Sequence, residues 1–371
     1  MILGKKYIPI IKTGESELRA IKEINVAIKD IMLPLFELTR GRKNPKADEG
    51  SIKSSLSFLE CHFKEVPFML DLTLDEKLTN TEIKALFSSK NNYSNWINFC
   101  LEQKKIFKNI LPVVQMIEEN NYDEYINKLK IQVRSLCDNF QYVVFRAHNE
   151  AVAKNVILDI NNIIKSNVFN NIQDKIIFIF DFKYINNTTQ GIEITQQIIK
   201  VLQKIGVNNI VISSTSFPEN VSDHMSISDF VKFKIKEIDF YRNCVEGISN
   251  NNITYSDYAT VNPVRNDNVV FAKGWIPRID VPALDDFIYC RRMRRDKKAT
   301  YADAYISIAQ KVVKSDYFND LIENEISCWG MQEIINASEG NVGGSSPRFW
   351  ISVRVNIYLH IIKNILNKVY R

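Results

Sequence analysis

Short runs of consecutive apolar residues alternate along the chain with longer stretches whose apolar positions recur at helical spacing. Ile176-Ile-Phe-Ile-Phe180 shows the first kind of run. Leu18, Ile21, Ile24 and Ala27 show the second. Unbroken apolar runs of this length belong to strands buried on both faces, and a 3.6-residue period belongs to amphipathic helices. The pattern predicts strands over 7–11, 31–38, 67–72, 110–116, 142–147, 175–182, 209–214 and 253–259. Helices are expected over 15–29, 50–64, two stretches up to about 107, then 121–138, 149–165, 190–205 and 228–247.

Eight strand–helix units in succession predict an α/β fold, a (β/α)8 TIM-like barrel over residues 1–262. A doubly wound open sheet is the competing architecture. It normally needs fewer strands, and no G-x-G-x-x-G follows the first strand. Beyond 262 the alternation stops, and residues 263–371 form an appended, mainly helical C-terminal extension packed on the barrel. Residues 269–276 and 287–289 are expected as short strands or arms. Helices follow over 301–315, 319–337 and 348–370. The last has a clear start, with Ser346 as cap and Pro347 in the first turn.

Composition narrows the functional classes. Apolar residues are 45% of the 371, charged residues are 25%, and the net charge is +5, which is ordinary for a globular protein and too small to mark a nucleic-acid binder. The six cysteines are scattered, with no C-x-x-C pair and no His cluster, so neither a zinc site nor a disulfide framework is indicated. No apolar run reaches the ~18 residues of a membrane span, and the first residues lack the apolar core of a signal peptide. A cytoplasmic protein with reduced thiols and no membrane partner is expected.

Chemistry in a barrel gathers at the carboxyl ends of the strands. Collecting the polar residues there gives Lys12, Glu37 with Thr39, Asp71 with Thr73, Gln115, Arg146 with His148, Asp181 with Lys183, Ser213–Ser216, and Asp257 with Tyr258. Glu37, Asp71, Asp181 and Asp257 would form a ring of acids facing Lys12, Arg146 and Lys183. Such a ring can hold a divalent cation and a phosphate, with His148 or a carboxylate as general acid or base, as in a metal-assisted phosphodiesterase or nucleotide hydrolase. It can equally be a self-neutralising set of ion pairs that closes the mouth. No Walker loop, G-x-S-x-G elbow or H-E-x-x-H motif occurs to decide between them. The segment 289–298 adds Arg291, Arg292, Arg294, Arg295, Lys297 and Lys298 beside Tyr289. It could bind nucleic acid or a nucleotide through phosphates and stacking, or simply be a solvated charged face.

Several short motifs carry a resemblance. Tyr7-Ile-Pro-Ile-Ile-Lys12 with Glu17-Leu-Arg-Ala20, Pro34-Leu-Phe-Glu37 and Asp257-Tyr258 lie in the barrel. Cys328-Trp-Gly330 and Pro347-Arg-Phe-Trp350, continuing through Arg354, Asn356 and His360, lie in the extension. Together they resemble the beta protein family of bacteria and their mobile elements. The His falls later than in the family's pattern, which leaves His360 without an assigned role. The resemblance implies a barrel associated with phage–host conflict, either as a sensor in a defence locus or as the neutralising partner of a toxic effector. The expected partner is then a companion effector or a phage component. The resemblance brings no catalytic residues with it. Trp329, Trp350 and Tyr358 are the expected interface aromatics of the tail.

Overall fold

The computed structural model describes residues 2–43, 48–166, 171–186, 189–225, 228–248, 252–264 and 274–370, apart from the side chain of Gln190. Eleven strands appear among them: β1 Tyr7–Lys12, β2 Leu35–Leu38, β3 Phe68–Leu72, β4 Ile110–Pro112, β5 Val143–Ala147, β6 Ile176–Tyr184, β7 Asn209–Thr215, β8 Phe230–Lys234, β9 Ile253–Asp257, β10 Arg278–Pro282 and β11 Phe287–Arg292. Eight of them form one parallel sheet in the order β4-β3-β2-β1-β9-β7-β6-β5. Its two edges meet through a parallel bridge between Val113 and Val144, with Val114 N–H donating to the Val144 carbonyl at 2.8 Å. The sheet thus curls into the expected barrel, with helices around it.

Alternation along the strands sorts the apolar residues into two cores. Ile8, Ile10, Leu35, Met69, Val144 and Ile179 fill the barrel interior. The opposite faces of the same strands, with Phe36, Phe68, Phe145 and Phe178, pack against the helices. Strand register also aligns charge. Lys12 lies beside Glu37, and Glu37 beside Asp71, so three charged residues form one row across β1, β2 and β3.

Several element boundaries differ from expectation for visible reasons. The expected helix 15–29 is two helices, Glu15–Lys22 and Val26–Ile31, because Asn25 caps the second by accepting from Ile28 N–H. That second helix runs into the expected strand 31–38, which therefore starts only after Pro34. The helix expected over 319–337 is Asp316–Glu323 and Trp329–Ser338, with Glu325 between them at a φ of 57°. The helix expected over 228–247 is a strand, β8, followed by a helix at Glu237–Val245. Exposed Lys232 and Lys234 alternate with Val231 and Phe233, a two-residue period hidden beside the apolar residues of the helix. Of the strand expected over 269–276, residues 269–273 lie outside the described residues, and 274–276 are not in a strand. β10 starts at Arg278 instead.

Strands β10, β11 and β8 make a separate antiparallel sheet outside the barrel. β8 precedes residue 262 in the chain yet pairs with β11 beyond it. The terminal helix Pro347–Val369 starts where the sequence places it, with Ser346 Oγ accepting from Phe349 N–H. It is buried along most of its length, lying against helix Glu15–Lys22, helix Trp329–Ser338 and β10. Gly330 makes one of these approaches possible, since a Cβ there would stand 2.6 Å from the Val353 carbonyl oxygen. Its N–H donates to Asn356 Oδ1, and Asn356 Nδ2 donates to the Ala20 carbonyl, each at 2.9 Å. No helix among the described residues is long and apolar enough to cross a membrane.

Candidate functional site at the barrel mouth

Arg146 is the hub of the barrel mouth. It points inward from β5, and all five of its N–H donors are engaged. Nε and one Nη2 proton reach Asp181 Oδ2 at 3.1 and 2.8 Å. Nη1 reaches Glu37 Oε2 at 3.0 Å and Asp71 Oδ2 at 2.9 Å, and Nη2 also reaches Tyr258 Oη at 3.2 Å. The Tyr258 hydroxyl donates to Asp181 Oδ2 at 2.6 Å. The remaining carboxylate oxygens are also occupied. Thr73 Oγ1 donates to Glu37 Oε1 at 2.9 Å. Leu72 N–H and Gln115 Nε2 face Asp71 Oδ1. Lys183 N–H donates to Asp181 Oδ1 at 2.9 Å.

Burial opposes the charge on each acid, and the guanidinium decides how far that goes. Burial pushes Glu37 up, but Arg146 and Lys12 more than offset it and leave its pKa lowered. Asp181 ends far below the usual carboxylate range, since Arg146, His148 and Tyr258 outweigh its desolvation. Asp71 goes the other way: burial, reinforced by its neighbour Glu37, exceeds the pull of Arg146 and raises it. Three carboxylates around one guanidinium form a buried network whose members depend on one another.

Of the expected ring, the structure brings Glu37, Asp71, Asp181, Arg146 and Lys12 together. His148 stands at its rim, with Nδ1 3.3 Å from Asp181 Oδ2, and Lys183 borders the opening. Asp257 does not belong to it. The inward residues of β9 alternate with Asp257, so Tyr258 occupies the mouth and Asp257 faces the terminal helix. There it accepts from the hydroxyls of Tyr7 at 2.5 Å, Tyr255 at 2.9 Å and Tyr358 at 2.5 Å, and from Ala259 N–H at 2.8 Å. Burial raises its pKa despite these donors. Glu237, a second buried acid beside this joint, binds Ser216 through its hydroxyl and its N–H. Burial lifts its pKa from about 4.5 to about 7, with Asp257 adding to the rise. Sequence reasoning missed Glu237 altogether, because its element reads as the middle of a longer helix.

The basic segment separates into two parts. Arg292 is buried, pairing with Asp229 at 3.2 Å and with the Met225 carbonyl, and Arg291 lies over the Phe230 ring at 4.8 Å. Arg295 covers the Tyr301 ring and donates to the Ala299 carbonyl. Arg294, Lys297 and Lys298 are exposed. The stacked rings of Tyr289 and Tyr317 already cover one another, 4.1 Å apart. The tail aromatics expected at an interface pack internally: Trp350 stacks on Tyr305, Trp329 meets Phe349, and Tyr358 is fully buried. His360 bonds the Asn356 carbonyl of its own helix through Nδ1.

Among the described residues, no group of three or more His, Cys, Asp or Glu side chains is placed to hold a metal ion. The mouth carboxylates converge on a guanidinium instead. Fold and site together define an α/β barrel with a charge-paired mouth, closed on its outside by a long C-terminal helix. The chain belongs to the Beta protein family, whose model matches residues 7–363. It is 27% identical over 363 residues to "Protein beta" of Enterobacteria phage P4, a match that covers 95% of this chain and 92% of the relative.

Proposed function

We propose that the protein is a partner-binding barrel in a phage–host conflict system, acting as the sensor or the neutralising partner of a companion effector. The observation that carries this reading is the saturation of Arg146. The acids of the mouth are committed to one another through it, which makes the barrel a rigid scaffold rather than a poised acid–base pair. A family relative carried by a phage supports the setting.

With Trp350 and Tyr358 buried and Trp329 half-buried against Phe349, the surface for a protein partner is the outer face of the β10–β11–β8 sheet. There exposed Lys232 and Lys234 stand beside Phe230, Phe287, Tyr289 and Arg291. Lys232 Nζ lies 4.4 Å from the Phe287 ring centre. Cations over half-buried rings suit an acidic partner surface. Co-expression with the genes that flank it, followed by affinity capture and phage challenge, tests this. Lys232→Glu with Lys234→Glu should abolish both capture and protection while the protein stays folded. A double variant that retains both would sink the assignment of this face.

The metal-assisted phosphodiesterase is the weaker reading, because the carboxylates it needs are turned toward Arg146. Nucleic-acid binding through 289–298 is weakened likewise, since Arg291, Arg292 and Arg295 are engaged within the fold.

A further inference from the structure

Above the Arg146 network the mouth opens into a cleft of about 270 Å³. Lys12, Asp75, His148 and Lys183 are among its walls, and Arg146 and Tyr258 form part of its floor. In and beneath the cleft, Lys12, Lys77, Arg146 and Lys183 are balanced by Glu37, Asp71, Asp75 and Asp181, so net charge does not select a ligand. Hydrogen-bonding capacity does. Both oxygens of Glu37, Asp71 and Asp181 are already bonded, and Arg146 has no donor left.

What remains is a set of donors and one acceptor, Asp75 Oδ2, whose nearest cation is Lys12 Nζ at 3.8 Å. Lys183 Nζ has no hydrogen-bond or ion-pair partner among the described residues. Lys12 Nζ donates to the Pro263 carbonyl at 2.7 Å but stands 3.8 Å from both Glu37 and Asp75, so its ion pairs are loose. His148 turns Nδ1 to the buried Asp181, which leaves Nε2 for the cleft. An imidazolium donates from both of its ring nitrogens. Lys183 also holds a φ of 57°, a conformation that favours glycine, so its side chain stands at this corner at a backbone cost. The three donors come from the ends of β1, β5 and β6, that is, from different directions around one opening.

We propose that this cleft binds a small phosphate monoester, with the phosphate oxygens accepting from Lys183, Lys12 and His148. A tetrahedral group with three acceptor oxygens meets donors from three directions, whereas a planar carboxylate meets two. The cleft is at the small end of ligand pockets, which sets the organic part at about the size of a pentose. The site lies at the carboxyl ends of the strands, away from the sheet face assigned to a protein partner, and stands or falls independently of it.

Isothermal titration of the full chain with orthophosphate, ribose 5-phosphate and ribose tests it. Saturable one-to-one binding of ribose 5-phosphate, tighter than orthophosphate and with no response to ribose, is expected. His148→Gln and Lys183→Gly should each weaken it by about tenfold or more, the worth of one charge-assisted hydrogen bond. Glycine suits the backbone at 183, so an unchanged or higher melting temperature accompanying that loss separates binding from folding. Orthophosphate binding as tightly as the monoester would overturn the monoester assignment. Binding that survives both substitutions, or no saturable binding of either phosphate, would overturn the site.

Discussion

Two groups of buried carboxylates stand near the top of this barrel, one inside its wall and one outside, and they are kept in the fold by different means. Inside, Glu37, Asp71 and Asp181 share the charge of Arg146. Outside, Asp257 has no cation among the described residues and is surrounded by three tyrosine hydroxyls, and Glu237 beside it is held by Ser216. Charge compensation makes the inner group dependent on a single residue. Neutral donors make the outer group dependent on protonation, because nothing there repays the full cost of ionising an acid away from water.

Removing the hub should have the largest effect. Arg146→Met should cost about 3–5 kcal/mol in denaturant unfolding, because three buried carboxylates lose the guanidinium they share. Adding Glu37→Gln and Asp71→Asn should recover part of that loss. A triple variant no more stable than the single one would mean that the packing of Arg146, rather than its charge, is what counts.

Glu37 and Asp181 of the inner group should respond to pH in the opposite sense from Glu237 of the outer one. Glu37 and Asp181 are lowered in the fold, so their stabilisation is present above the ordinary carboxylate range and is lost as the pH falls through their folded values. Glu237 is raised from about 4.5 to about 7, so the folded state holds its proton longer than the unfolded chain does. Stability from Glu237 is therefore greatest below about 4.5 and declines as the pH rises to about 7. The decline amounts to at most ~3 kcal/mol. Urea titrations across that window should show it in the wild type and not in Glu237→Gln. An equal slope in both proteins would place the titrating group elsewhere.

Smaller effects refine the picture. Tyr358→Phe should cost about 1–2 kcal/mol, the loss of one hydrogen bond to a buried acid. In the basic segment, Arg292→Ala should destabilise by about 1–3 kcal/mol, whereas Arg294→Ala should stay within about 0.5 kcal/mol. Equal effects would contradict the division of that segment into a buried strand and an exposed loop.

The inner group was largely visible in the sequence. Glu37, Asp71, Arg146 and Asp181 end long apolar strands, and the barrel topology alone carries such residues to one place. The outer group was not. Asp257 and Tyr258 are adjacent, and a one-residue difference in strand parity decides which of them enters the barrel. Nothing local to β9 fixes that parity, since its inward positions Thr254 and Ser256 are polar while Tyr255 outside is apolar. The tyrosines that identify Asp257 as an outward residue come from positions 7, 255 and 358, which only the folded chain brings together. β8 was hidden for a similar reason. Its partner, β11, lies more than fifty residues further on, and without it Phe230–Lys234 is too short to outweigh the helix that follows.

The joint at Asp257 also imposes an order of events on synthesis. Tyr358 follows Asp257 by 101 residues, and Tyr370, whose hydroxyl accepts from Tyr255 N–H and donates to the Lys6 carbonyl, comes later still. While the chain is being made, all eight barrel strands have left the ribosome before the helix that covers this face exists. During that interval Asp257 remains hydrated, and the outer surface of β1 and β9 is without its cover. The barrel is thus complete in sequence well before it is sealed, and the nascent chain spends that time as the state most open to chaperones, proteases or a second copy.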